Sequence, residues 1–254
     1  MPLKSIDEVI LRLDEIIDWA QKNNSRLGYF AALYKRMTLG VKSGIVQGKF
    51  EDGARMEKLD LIFASRYLDA FDAFQNKREL TSCWRKTFEA CNRKSVTVFQ
   101  HLLLGISAHI NLDLAIATSI TADGINIELL KKDFDSINNV IGDLINEVQD
   151  ELSVINKTMN FIDKVCNDKD EAVANFSIGI ARREAWRCAV ELSGLPITEH
   201  NHYNANTDST ITLLADKIIK PGFRTEILLW MIKLFEQRDI RKTIDILNRA
   251  VATK

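Results

Sequence analysis

The segment Ser95–Ala117, SVTVFQHLLLGISAHINLDLAIA, contains no Lys, Arg or Glu and no Asp before Asp113, yet it carries two of the chain's four histidines. At the helical period of about 100° per residue, Val98, Phe99, Leu102, Leu103, Leu104, Ile106, Ile110, Leu112 and Leu114 cover almost every face. A helix that is apolar all round belongs in the middle of a fold. The run approaches the about 20 apolar residues that cross a bilayer. Gln100, His101, Ser107, His109 and Asn111 make such an insertion costly, so a buried core helix is expected and a membrane span is not.

Outward from this segment, apolar residues recur at three-and-four spacing and nothing alternates as a strand; only three prolines, Pro2, Pro196 and Pro221, interrupt the chain. The pattern predicts an all-α fold, a single-domain helical bundle over residues 1–254 with about nine or ten helices around the histidine-bearing one. Ser5 and Glu8 read as a capping box opening the first helix. The segment NIELLKKDFDSINNVIGDLINEVQDELSVI reads as a long helix with a bend at Gly142, and KTMNFIDKVC as another helical piece. PITEHNHYNANTDS, residues 196–209, is the one extended polar and turn-rich stretch, and it predicts a mobile loop or lid.

With 46% apolar residues, 27% charged residues and a net charge of -1, the chain lacks the basic excess of a nucleic-acid-coating protein, and no nucleic-acid partner is expected. Cys83, Cys91, Cys166 and Cys188 show no C-x-x-C spacing and sit among apolar neighbours, which predicts buried free thiols. Acidic residues within the first apolar stretch, MPLKSIDEVILRLDE, argue against a secretory signal and for a cytoplasmic product.

On the central helix, His101, Gly105, His109 and Asp113 form one inclined ridge, because each step of four residues advances only about 40°. His109 and Asp113, one turn apart, can bind one ion or each other. His101 lies about 12 Å further along the axis and can share that ion only if the helix is distorted. Gly105 leaves room for something to come close. Asp133, on the following helix, is a further carboxylate that packing can bring to the ridge, as ligands are gathered in helical-bundle metal sites. Asn111, Arg66, Arg182 and Trp186 are candidate substrate-binding residues; Arg182 can hold a carboxylate or phosphate or pair with Asp113 or Glu57. Tyr29, Tyr34 and Tyr67 read as core aromatics whose hydroxyls satisfy buried polar groups.

Five phrases, SRLGYFAALYKRMTLGVKSGI, FEDGARMEKLDLIFASRYLDAF, QHLLLGISAHINLDLAIA, DFDSINNVI and NFSIGIARREAW, together resemble a bacterial family catalogued as domain of unknown function 5995. The resemblance runs from the first helix to about Leu195 and is weakest after Pro196. Its A-H-I-N-x-D-L phrase falls on Ala108 to Leu114 without departure. It implies an all-helical single domain and no particular activity.

Two functions fit these residues. In the first, His109 and Asp113 are catalytic, with His109, Asp113, His101 and Asp133 as ligands of a divalent zinc, iron or manganese ion, or with His109 as a metal-free general base oriented by Asp113; hydrolysis of a small molecule is the matching chemistry. In the second, the protein is non-catalytic and binds an apolar small molecule or a protein partner, the histidine ridge being structural. The sequence does not reveal an oligomeric state.

Overall fold

Ser5, the expected start of the first helix, is its N-cap: the hydroxyl accepts a hydrogen bond from Glu8 N at 3.3 Å. Glu8 reaches back one residue further than the capping box requires, to Lys4 N at 2.8 Å. The helix so begun, α1 (Ile6–Lys22), buries Ile6, Val9, Leu13, Ile16, Ile17 and Ala20, the stripe that a 3.6-residue period predicts. The structure is a computed structural model that describes residues 3–140, 154–155 and 178–249.

The chain continues through α2 (Gly28–Val46), α3 (Gly53–Gln75), α4 (Ser82–Ala90) and α5 (Val98–Ala108), then a π-helical segment (His109–Leu114) and α6 (Ala115–Thr121). A 3₁₀ turn (Ile127–Leu130) leads to a helical run at 131–140, and α7 (Ile178–Gly194), α8 (Ile197–Ile219), α9 (Phe223–Phe235) and α10 (Ile240–Leu247) follow. The fold is all-α, with no strand among the described residues. The bend at Gly142, the KTMNFIDKVC helix and Cys166 lie outside them; Cys83, Cys91 and Cys188 are free.

The expected central helix is Val98–Thr121, apolar and long enough by composition to cross a membrane, with 78% of its most apolar window buried inside the protein. It starts from a full capping box, Thr97 accepting from Gln100 N while Gln100 Oε1 accepts from Thr97 N. Around it, α2, α4 and α8 pack on α5; α3, α7 and α8 pack on the π segment; and α3 and α7 pack on α6. Gly105 makes the closest of these approaches possible. A Cβ at that position would lie 2.4 Å from Phe30 Cδ2, so the glycine admits the Phe30 ring against the helix backbone.

Residues 196–209 are not a loop. Pro196 starts α8, which runs 23 residues to Ile219. Its Ser and Thr side chains, read as turn formers, donate back to the carbonyls four residues earlier: Thr207 to Tyr203, Ser209 to Ala205, Thr210 to Asn206 and Thr212 to Asp208. The stretch is polar because most of α8 faces solvent. It is also fastened along its length. Asp208 accepts from Ser82 N and Cys83 N at 2.7 and 2.9 Å and so caps α4, Asp216 pairs with Lys86 at 2.5 Å, and the Ile218 carbonyl accepts from Gln100 Nε2 at 2.7 Å.

Gly105→Ala forces the new methyl into Phe30, which is itself boxed in by Tyr34, Tyr67, Trp84 and His109. The expected loss is about 1–3 kcal/mol in urea unfolding. Unchanged stability would show that this approach is not tight.

Candidate functional site

The π segment coincides with HINLDL, the part of the ridge that carries His109 and Asp113. A turn closed by i→i+5 bonds holds more residues than an α-turn, so residues four apart come closer to lying directly above one another. His109 and Asp113 accordingly meet, Nδ1 to Oδ2, at 3.1 Å. The distortion begins at His109, and α5 remains regular from Val98 to Ala108, so it does nothing to bring His101 nearer.

Asp113 is 1% exposed and accepts from two further groups. Arg66 Nε on α3 reaches Oδ1 at 2.8 Å, and Trp84 Nε1 on α4 reaches Oδ2 at 2.8 Å. Arg66, expected as a substrate-binding residue, takes the place beside Asp113 expected of Arg182, and Trp84 was not expected there at all. Its signal was an indole inside a short apolar helix, which when buried must find an acceptor for its N–H.

His109 is enclosed by rings. It stacks on Phe63 with centroids 3.6 Å apart and planes 7° from parallel, and it meets the edge of Tyr34 at 4.5 Å. Burial holds its pKa below the ordinary 6.5, the hydrogen bond and charge of Asp113 opposing this and the charge of Arg66 adding to it. A neutral imidazole facing a carboxylate carries its proton on Nδ1, which leaves Nε2 a bare acceptor. That atom is buried and has no hydrogen-bond partner among the described residues. The hydroxyls of Tyr34 and Tyr67 likewise have none among the described residues, contrary to the satisfying role expected of them. The Tyr34 phenol is pushed well above its ordinary value by burial and by the nearby Asp60 and Asp113. Asp60 is buried without a hydrogen bond to Oδ2, and burial together with Glu57 raises it to about 7.

The other ridge and helix candidates go elsewhere. His101 lies with Nδ1 3.9 Å from Cys91 Sγ and its ring against Tyr29; burial, Lys233 and Arg26 lower it to about 3. Asp133 accepts from Glu51 N, Asp52 N and Arg55 Nη2 at 2.6, 3.2 and 2.8 Å, tying the helical run 131–140 to the start of α3. Arg182 donates to the Phe134 carbonyl and lies over the Phe134 ring, and Trp186 packs against Phe134 and Lys131. Asn111 donates to Ser107 O at 3.1 Å. The ligand set His109, Asp113, His101 and Asp133 is therefore not assembled, and among the described residues no three His, Cys, Asp or Glu side chains converge on a point that could hold a metal.

The Asp113 cluster does reach solvent, through Arg66. The Arg66 side chain is 28% exposed and lines an open cleft of about 400 Å³. Leu80, Leu112 and Ile116 give this cleft an apolar wall; Glu79, Thr81 and, from α8, Asn201, Asn204 and Asp208 give it a polar one, in which Glu79 and Asp208 are carboxylates beside Arg66. Among the described residues, Nη1 and Nη2 of Arg66 have no hydrogen-bond partner, its one bond being from Nε to Asp113.

Two outcomes follow. Asp113→Asn leaves Arg66 without its counter-charge at a mostly buried position and is expected to cost about 3 kcal/mol in chemical unfolding. On acidification, the unfolded chain protonates His101 at about 6.5 while the folded chain, in which burial lowers it to about 3, does not. His101 thus contributes stability present above pH 6.5 and lost below it, about 1.4 kcal/mol per pH unit, and the lowered His109 acts in the same direction. Asp60 acts oppositely: between its ordinary 3.8 and about 7 the folded chain holds the extra proton. Between about pH 6 and 5, His101→Gln is expected to remove one proton's worth of the wild-type loss of stability; a slope unchanged in that variant would show that His101 titrates freely.

No curated protein and no solved structure matches this chain. A family of unknown function, DUF5995, matches residues 6–221. That span extends beyond Pro196, after which the sequence resemblance is weakest, and takes in the Asp113 cluster and the α8 wall of the cleft. The chain belongs to DUF5995, a family of unknown function.

Proposed function

We propose that the protein binds a small anionic molecule, a carboxylate or phosphate, in the cleft headed by Arg66. The observation that carries this reading is the division of labour within one guanidinium that lines an open cleft: Nε is fixed by the buried Asp113, while Nη1 and Nη2 have no partner among the described residues. A planar fork held at one edge is pre-organised for a bidentate acceptor at the other, so little rotamer entropy remains to be lost on binding. The wall of Leu80, Leu112 and Ile116 suits an apolar body behind the acidic group, and the amide of Asn204 and hydroxyl of Thr81 supply polar contacts of orientation.

A binding role is favoured over hydrolysis by the position of His109. A general base must come within hydrogen-bond reach of the proton that it takes, and His109 is 2% exposed, stacked on Phe63 and absent from the cleft lining. In this reading His109 and Trp84 hold Asp113, Asp113 holds Arg66, and of these four only Arg66 touches the ligand.

The test is thermal shift followed by calorimetry with acetate, benzoate, inorganic phosphate and a phosphate monoester. Wild-type protein is expected to be stabilised by at least one of them. Ala205→Trp, which fills the cleft from α8 without touching Asp113, and Arg66→Gln should each weaken binding about tenfold or more, equivalent to about 1.4 kcal/mol. Equal affinity in both variants, or no binding of any of the four anions to wild type, overturns the reading.

A further inference from the structure

Helix α9 turns its apolar side outward. Phe223, Ile227, Trp230, Met231 and Leu234 recur at i, i+4, i+7, i+8 and i+11, with Phe235 beside them. Phe223 is 79% exposed, Trp230 63%, Phe235 62%, and the least exposed of the six, Met231, 45%. The opposite side of the same helix, Thr225, Leu229 and Ile232, is buried. A helix with apolar residues on both sides and solvent on one lacks a partner on that side.

The orientation of α9 is fixed by bonds at its C-terminal end. Lys233 Nζ donates to the Val96 carbonyl at 2.9 Å and pairs with Glu236, and Glu236 accepts from Val98 N at 2.7 Å. Next, Gln237 N donates to the Ile155 carbonyl at 2.9 Å, and α10 buries Ile240, Ile244, Ile246 and Leu247 against α1 and α2. Rotating α9 to hide the stripe breaks the Lys233 and Glu236 bonds and exposes Leu229 and Ile232. At its other end Gly222, at φ +107°, supplies a backbone conformation that a side chain disfavours and starts the helix at this angle.

We infer that this face is the contact surface between two copies of the chain, paired antiparallel through α9. Area is the first support. With about 150–250 Å² available from each aromatic side chain and somewhat less from each aliphatic one, the six side chains present on the order of 600–700 Å² per chain. That exceeds the largest apolar patch usual on a monomer, about 300–600 Å², and approaches the about 800 Å² that each partner contributes to a standard interface. Self-complementarity is the second. Reversing the helix about position 229 sets Phe223 against Phe235, Ile227 against Met231 and Trp230 against Leu228, with Leu234 alone meeting a charged residue, Arg224, so the stripe is largely self-complementary, as an isologous contact requires. Charge is the third. Arg224, Glu226, Lys233 and Glu236 cancel, and Lys233 and Glu236 already pair with each other, so α9 lacks the Lys/Arg-rich polar face of a helix that lies on anionic lipid. The stripe lies just beyond residue 221, the last residue of the family match, so the inference concerns this chain and not the family.

Sedimentation equilibrium of the full chain at micromolar concentrations, with and without phosphatidylcholine vesicles, tests the pairing. The expected mass is twice the 28.9 kDa of one chain. Trp230→Glu and Ile227→Glu, both on the outer face, should raise the dissociation constant about a hundredfold while leaving the helical circular dichroism unchanged. Val46→Glu, at an exposed apolar residue on α2, should not alter it. A monomeric wild type, a dimer that survives Trp230→Glu, or a monomer that sediments with the vesicles each overturns the inference.

Discussion

One buried carboxylate organises the middle of this protein. Asp113 takes a guanidinium from α3, an indole from α4 and an imidazole from its own π turn. Removing an ion from water costs several kcal/mol, and only such a filled set of donors makes the position tolerable. The consequence is geometric before it is energetic. Three backbones must stand where their donors meet the two oxygens of one carboxylate, and the helix that bears it widens to i→i+5 bonding at that point. The ring packing around Phe30 and His109 then fills the space that those three backbones define.

The histidine ridge was legible because a run without charge, apolar on all sides, can only be central, and polar residues within it must be partnered there. The pairing of His109 with Asp113 follows from their spacing; a counter-charge for the carboxylate was expected from Arg182, but Arg66 supplies it and Arg182 bonds the Phe134 carbonyl instead. What spacing along one helix cannot convey is which neighbours cross it. Trp84 is fifteen residues before Phe99 in a short helix of its own, and only the packing of α4 on α5 brings its N–H to Asp113. The same limit explains the dispersal of the expected ligand set: Asp133 is consumed by the backbone of Glu51 and Asp52 and by Arg55, a loop contact with no periodic signature. Residues 196–209 misled for a different reason. Their Asn, Asp, Ser and Thr content is that of a turn, but on an exposed helix the hydroxyls find carbonyls four residues back and the composition reports solvent exposure alone.

Arg66 joins the two environments that matter for a ligand. Its stem passes from the dry cluster to the cleft, so the charge met at the surface is positioned by groups that water does not reach. In the proposed binding role the cluster is a positioning device. The histidine, which in isolation invites a catalytic interpretation, is separated from the cleft by Asp113 and Arg66.

The capping of α4 by Asp208 has a kinetic consequence. The carboxylate that satisfies Ser82 N and Cys83 N also forms part of the cleft wall, and Lys86 with Asp216 and Gln100 with Ile218 hold the same helix further along. Swinging α8 aside uncaps one helix and unhooks another, so a movement of α8 that widened the cleft would first have to break these bonds. The rate at which this side of the cleft opens is therefore tied to the stability of the α4 N-terminus.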